Sequence, residues 1–172
     1  MVKQLGDRFK AQPAEIVDRV AALQEELKAT GKALTAAQAE LAVAKAGALA
    51  AKAEAVGDFQ LLVERLDGVD GAGLQGAAQS LADQLGDGAA VVIGGLPDPA
   101  DQGKVILVAA FGKQVIAAKL QAGKFIGGIA KRCGGGGGGR PNLAQAGGRD
   151  GAALPDALEA ARSELAAALP QS

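Results

Sequence analysis

Apolar positions divide the chain into two parts with different periodicity. In the first part, apolar residues recur at alternating steps of four and three from residue 16 to residue 48. That spacing places them on one face of a helix in a heptad register, with charged residues off the stripe. Pro13 suits a first helical position, and no other proline occurs up to residue 55. The pattern therefore predicts one long helix over residues 13–55.

The sequence ATGK at residues 29–32 offers an alternative to a single helix. Gly31 costs about 1 kcal/mol relative to alanine in a helix, and it could mark a hairpin turn. The heptad register passes through it without a change of phase, which favours a continuous helix. The stripe indicates either an ordinary amphipathic helix or a coiled-coil seam, so a homodimer through this region stays open.

From about residue 57 the pattern changes to short apolar runs separated by polar turns. The segments FQLLVERLDGV, AAVVIGGL and KVILVAAF are typical of strands. Apolar residues at helical spacing predict three helices. The first lies between the first two runs and ends at Gly86, the second extends from Gly112 to Arg132, and the third follows residue 153. Strands that alternate with helices predict an α/β (α+β) domain. We therefore expect a helical, coiled-coil subdomain at residues 1–56 and a globular subdomain at residues 57–172.

Composition narrows the chemistry that this chain can perform. It has no histidine and a single cysteine, which excludes His-dependent general bases, imidazole zinc sites and CxxC metal sites. Cys133 lacks an activating histidine, so we expect a small buried residue at the end of a helix rather than a nucleophile. One cysteine cannot form an internal disulfide and no apolar run reaches the length of a membrane span, so we expect a cytoplasmic protein without membrane contacts.

The formal net charge of −1 hides a strong segregation of charge. Residues 54–101 contain nine acids and one cation, whereas residues 102–149 contain eight cations and no acid. A local excess of positive charge attracts a polyanion even when the net charge is near zero. A solvated lysine face is the alternative explanation. The eight cations are Lys104, Lys113, Lys119, Lys124, Lys131, Arg132, Arg140 and Arg149.

Six consecutive glycines lie within this basic block, in the segment KRCGGGGGGRPNLAQAGGRD at residues 131–150. A flexible linker here would cut the domain in two. Glycines also permit positive φ, and successive N–H groups of such a loop can converge on a phosphate. The run ends in Arg-Pro rather than the Gly-Lys-Ser/Thr of a Walker A loop, which disfavours a nucleoside-triphosphate enzyme. We therefore expect a phosphate-binding loop flanked by Arg140.

The string GGGGGGRPNLAQAGGRD closely resembles a motif in the C-terminal domain of alanyl-tRNA synthetases, a DHHA1-type domain. The similarity extends to QLLVERLDGVDGAGLQGAAQSLADQLG, GKVILVAAF and KLQAGKFIGGIAKRCGG. The resemblance implies a DHHA1-like fold that binds the elbow of tRNA, with tRNA-Ala expected, and couples aminoacylation to editing. It also implies the catalytic and editing domains of a parent enzyme as partners, and a homodimer in some members. Two alternatives remain open: the substrate-binding half of a DHH-type phosphodiesterase, and a purely structural dimerisation module.

The resemblance and the basic block together suggest which residues contact nucleic acid by their backbone or phosphate. No catalytic residue, metal or cofactor is expected in this chain, although a complete synthetase would use ATP, Mg and Zn. Single-stranded or other nucleic acids are open as further ligands. The family commonly carries lysine at the position of Gly136 and aspartate at that of Asn142. The expected contacts are Lys113, Lys119, Lys124, Lys131, Arg132, Gly135, Gly136, Gly137, Gly138, Gly139, Arg140, Gln145, Gly147, Gly148 and Arg149.

Overall fold

A computed structural model describes residues 16–170, without the side chains of residues 16, 34, 35 and 38–47. The chain divides into two compact units between Ala37 and Gln38. The predicted start of the first helix, at residues 13–15, lies outside the described residues.

The first element is one helix, α1 (Ile16–Leu49). It runs through Gly31 without a turn, so the hairpin alternative is wrong. Val17, Leu23 and Leu27 are exposed along it, and the homodimer through this region stays a prediction. None of the helices within residues 16–170 combines the length and the apolar character needed to cross a membrane.

The helix ends at residue 49, six residues before the predicted end. A 3-10 turn (Ala50–Lys52) and a short strand, β1 (Glu54–Val56), replace its last part. Gly57 adopts a φ of 58° and turns the chain so that β1 pairs with the strand that follows. Strand pairing therefore overrides the high helix propensity of the alanine-rich segment.

After β1, the described residues form five further strands and four further helices. In chain order they are β2 (Phe59–Arg65), α2 (Gly71–Leu85), β3 (Ala89–Gly95), β4 (Val105–Phe111), α3 (Lys113–Ala117), α4 (Ala122–Arg132), β5 (Gly136–Gly139), β6 (Leu143–Gly148) and α5 (Leu154–Ala168).

The six strands form one sheet in the order β1-β2-β3-β4-β6-β5. Strands β2 and β3 run parallel, and the other neighbouring pairs are antiparallel. A parallel pair needs a crossover connection, and α2 provides it. This arrangement confirms the predicted α/β class, and it leaves β1 and β5 at the two edges of the sheet.

Helices cover both faces of the sheet, because side chains of successive strand residues point to opposite faces. Val91 packs in one apolar cluster with Leu74 of α2. Its neighbour Val92 packs in the other cluster with Ile126 of α4 and Leu165 of α5. All five side chains are completely buried, so two cores hold the sheet between helical layers.

The predicted helix from Gly112 to Arg132 is interrupted in the structure. It forms two pieces, α3 and α4, and Lys119 lies between them with a φ of 68°. No other non-glycine residue within the described residues has a positive φ. A left-handed conformation costs an L-residue roughly 1–2 kcal/mol, and helical periodicity alone does not reveal such a break.

We predict that Lys119→Gly raises the free energy of unfolding by about 1 kcal/mol, because glycine adopts a positive φ without the steric cost. Lys124→Gly, within α4, is the matched control. It should lower the same free energy by about 1 kcal/mol, because glycine is a poor helix former. Urea unfolding followed by circular dichroism measures both, and a loss of stability in Lys119→Gly would contradict the assigned conformation.

Candidate nucleic-acid interface

The six-glycine run forms an edge strand rather than the predicted loop. Strand β5 comprises four of these glycines, all exposed, and it pairs in an antiparallel manner with β6. Gly134, which turns the chain out of α4, is the one member of the run with a positive φ, at 64°. The prediction of a loop is therefore wrong from Gly136 onward.

Several main-chain donors of this segment are used within the fold. The N–H groups of Gly134 and Gly135 donate to the carbonyls of Lys131 and Ala130, at 3.1 and 3.0 Å. The N–H of Arg140 donates to the carbonyl of Leu143 at 3.0 Å. Hydrogen-bonded pairs alternate along an antiparallel ladder, so Gly138 and Gly136 direct their main-chain groups to β6 as well. Gly137 and Gly139 occupy the non-hydrogen-bonded positions of this ladder, so their N–H groups point away from β6, and the convergence of glycine amides on a phosphate stays a prediction.

The glycines instead allow three backbones to approach closely. A Cβ atom at Gly137 would lie 2.7 Å from the Cβ atom of Ala146 on β6, and one at Gly127 of α4 would lie 2.8 Å from the carbonyl oxygen of Gly137. A Cβ atom at Gly123 of α4 would lie 2.9 Å from the nitrogen of Gly139. Contacts under 3.0 Å essentially never occur for real Cβ atoms. Helix α4 and strand β6 can therefore flank β5 only because these positions lack side chains.

A different part of the same strand is open. A Cβ atom at Gly136 would meet no atom within 4 Å. A cleft of about 800 Å³ lies here, and a second cleft of about 400 Å³ follows it along the β5–β6 hairpin. The described residues that line these two clefts include no carboxylate. The first is lined by Gly71, Lys104, Val105, Ile106, Gly134, Gly135, Gly136, Gln145, Gly147, Gly148 and Arg149, and the second by Gln75, Gln79, Gly138, Gly139, Arg140, Asn142, Leu143, Ala144 and Gln145.

Gln145 lines both clefts, and α2 fixes its position. The Nε2 atom of Gln75 donates to Oε1 of Gln145 at 2.9 Å. Gly71, in the first turn of α2, leaves room for the same amide, since a Cβ atom there would lie 2.8 Å from Nε2 of Gln145. Gly71, Gln75 and Lys104 were not among the predicted contacts. Gly71 and Gln75 lie in the acid-rich segment, residues 54–101, so the charge pattern did not indicate them as contacts.

Two of the predicted cations are paired with acids elsewhere. Arg132 donates to Glu164 on α5 at 2.9 Å. Lys113 lies 3.7 Å from Asp87 and lines a separate cleft that also contains Asp83. The acid-free clefts include neither of these two cations in their linings. Whether Arg132 and Lys113 contact a ligand stays a prediction.

The other cations of the basic block lie free of acids. Within residues 16–170, no carboxylate comes within 4.0 Å of their charged nitrogens. Lys124 and Lys131 are exposed on α4, whose glycines contact β5, and Lys119 precedes that helix. Positive charge therefore borders the glycine strand without internal neutralisation. These cations are Lys104, Lys119, Lys124, Lys131, Arg140 and Arg149.

Cys133 has a structural role, since its side chain is buried and its carbonyl accepts two hydrogen bonds. Its side chain is completely buried, and burial together with the negative charge of Asp150 raises the pKa of the thiol, which keeps it protonated at neutral pH. Its carbonyl accepts the N–H groups of Arg149 and Asp150 at 2.8 and 3.1 Å, which anchors the chain at the end of β6. The carboxylate of Asp150 accepts the N–H groups of Ala152 and Ala153, so it caps a turn. No group of three or more His, Cys, Asp or Glu residues suited to a metal occurs within the described part of the chain.

We predict opposite responses to alanine at adjacent glycines of β5. Gly137→Ala should lower the free energy of unfolding by about 1–3 kcal/mol, because the new methyl group overlaps β6. Gly136→Ala should leave it unchanged or raise it by up to about 1 kcal/mol, because the methyl group enters open space and the unfolded chain loses freedom. Equal effects in thermal or urea unfolding would show that the strand does not pack as described.

Comparisons with known proteins agree with this fold. The DHHA1 domain family matches residues 58–167. The whole chain is 94% identical to part of the alanine–tRNA ligase of Parasynechococcus marenigrum (strain WH8102), and 99% of it is 84% identical to part of that of Synechococcus sp. (strain CC9902). In each case it spans only 19% of the relative's length.

A solved structure of a related domain has a similar fold. The C-Ala domain from Aquifex aeolicus alanyl-tRNA synthetase is 29% identical, with a TM-score of 0.52, over 66% of this chain and 97% of that domain. The resemblance drawn from the sequence is therefore confirmed, and the chain belongs to the DHHA1 domain family.

Proposed function

We propose that this chain is a tRNA-binding module of an alanine–tRNA ligase. The observation that carries the proposal is the pair of acid-free clefts along the β5–β6 hairpin. Glycines form part of their lining, and cations that pair with no carboxylate within residues 16–170 lie at both ends. A sugar–phosphate backbone can lie flat on such a surface, because no side chain projects from Gly136 into the first cleft.

The charge distribution matches a chain of phosphates rather than a single anion. Lys104 and Arg149 line one cleft, and Arg140 lines the other. Arg140 is hydrogen-bonded opposite Leu143 at the start of β6, six residues before Arg149, which corresponds to about 20 Å along a strand. A polyanion with regularly spaced phosphates can bridge this distance and release counterions at both ends.

The names of the relatives suggest which nucleic acid binds. An alanine–tRNA ligase joins alanine to tRNA, so tRNA-Ala is the proposed ligand. The lining residues of both clefts include no aromatic ring on which a base could stack, which favours recognition of backbone and shape over sequence. The elbow of tRNA presents such a surface, and binding it would hold one tRNA for both aminoacylation and editing.

The rest of the proposed enzyme would perform the chemistry. We assign no catalytic step to this chain, and ATP, Mg and Zn would be used by other domains of the cytoplasmic parent protein. Those catalytic and editing domains are then the protein partners of this module.

We predict that Arg149→Ala and Arg140→Ala each weaken tRNA binding about 5- to 10-fold near physiological salt, because each removes one phosphate contact. Each variant should also reduce the slope of log affinity against log salt by about one. Lys28→Ala removes the same charge on α1, at a residue that lies 3.7 Å from Glu25 and is not among the predicted contacts, so its affinity should stay within about twofold of the unmodified chain. Filter binding across a salt series measures all three.

Two results would contradict the proposal. Affinity that is independent of salt would show that phosphate contacts do not drive binding. Equal losses in Lys28→Ala and the two arginine variants would show that total charge, rather than the glycine clefts, attracts the RNA.

A further inference from the structure

Gln145 occupies the middle of the proposed interface. Both clefts include it in their linings. It lies two residues after Leu143, which is opposite Arg140, and four residues before Arg149. These separations correspond to about 7 and 13 Å along a strand. A backbone that contacts both arginines would therefore pass over the Gln145 amide.

Contacts within the fold position the side-chain amide of Gln145, and its N–H groups remain available as hydrogen-bond donors. Nε2 of Gln75 donates a hydrogen bond to Oε1 of Gln145. The backbone of Gly71 lies close to the same amide and restricts its position. A glutamine amide carries two donor hydrogens on Nε2. Within the described residues, Gln145 accepts a hydrogen bond through Oε1 and its Nε2 donates none. The centre of the interface thus presents an oriented, uncharged donor between charged ends.

The chemistry of a nucleic-acid strand indicates what this donor meets. Phosphates are matched by the arginines and Lys104 at the ends of the clefts, since cations bind them more strongly than an amide does. Bases find no aromatic platform among the lining residues. The sugar is the polar part of the strand that lies next to the phosphates, and in RNA its 2′-hydroxyl both donates and accepts hydrogen bonds.

We infer that Gln145, positioned by Gln75, contacts a ribose 2′-hydroxyl and makes this interface prefer RNA over DNA of the same sequence. The inference rests on the proposed function, because it needs a nucleic-acid backbone in the clefts. It adds a residue that distinguishes between two polyanions of equal charge, which the cations cannot do.

The test compares a tRNA-Ala transcript with DNA of the same sequence, using the 172-residue chain. The unmodified chain should bind the RNA about 3- to 10-fold more tightly, which is the effect of one net hydrogen bond. Gln145→Met keeps the length of the side chain and removes the donor. It should lower the affinity for RNA about 3- to 10-fold, leave that for DNA unchanged, and reduce the ratio accordingly.

Two further variants separate positioning from general damage. Gln75→Ala removes the partner of Oε1 and should reduce the RNA preference without abolishing binding to either nucleic acid. Gln84→Ala lies on the same helix, exposed and bonded to Ser80, and should change neither affinity. Thermal unfolding of each variant confirms that the fold is retained, and Gln145→Ala serves as a second truncation if the methionine disturbs packing.

The outcomes distinguish this inference from the proposed function. Equal binding of RNA and DNA by the unmodified chain, or an unchanged ratio in Gln145→Met, overturns the inference alone when Arg149→Ala still weakens RNA binding. Absence of salt-sensitive binding to either nucleic acid overturns the proposed function and this inference together.

Discussion

Helix α4 lies so close to strand β5 that neither element has room for a side chain where they meet. Gly127 faces the carbonyl of Gly137, and Gly123 faces the backbone of Gly139. On the other side, Gly137 and Gly139 lie against Ala146 and Ala144 of β6. The strand is therefore clamped between two backbones, and glycine is required on the helix and on the strand.

The packing of β5 between α4 and β6 determines where the proposed binding surface lies. Because α4 and β6 hold β5 from two sides, the remaining open side faces the clefts next to α2. The hydrogen-bonding groups of Gly136 and Gly138 serve the sheet, so the proposed contribution of these two glycines to binding is steric. A ligand can reach the backbone here, while charge comes from Lys104, Arg140 and Arg149 around the clefts.

Much of the fold was predictable because hydrophobic periodicity marks it. The strands β2, β3 and β4 and the helices α2 and α5 match the predicted segments, since each contains enough large apolar residues to show its period. Strand β5 contains only glycine, which has low strand propensity, so nothing in its sequence indicates a strand. Pairing with β6 and packing against α4 determine its conformation instead.

The candidate site was predictable in part, where a sequence pattern marks it. The charge block and the glycine motif identified the β5–β6 hairpin and its arginines. They did not show that Arg132 pairs with Glu164, 32 residues away, because that contact depends on how α4 and α5 pack. The roles of Gly71 and Gln75 depend likewise on the crossover that brings α2 beside β6.

Replacing the side chain at Gly136 tests the central claim most directly, because that position points into open space beside the clefts. Gly136→Lys adds a cation beside the clefts, and it should tighten tRNA binding about 5- to 10-fold by adding one phosphate contact. Gly136→Glu should weaken binding by a similar factor, and both variants should unfold at nearly the temperature of the unmodified chain. Unchanged affinity in both variants would show that tRNA does not lie over the glycine strand.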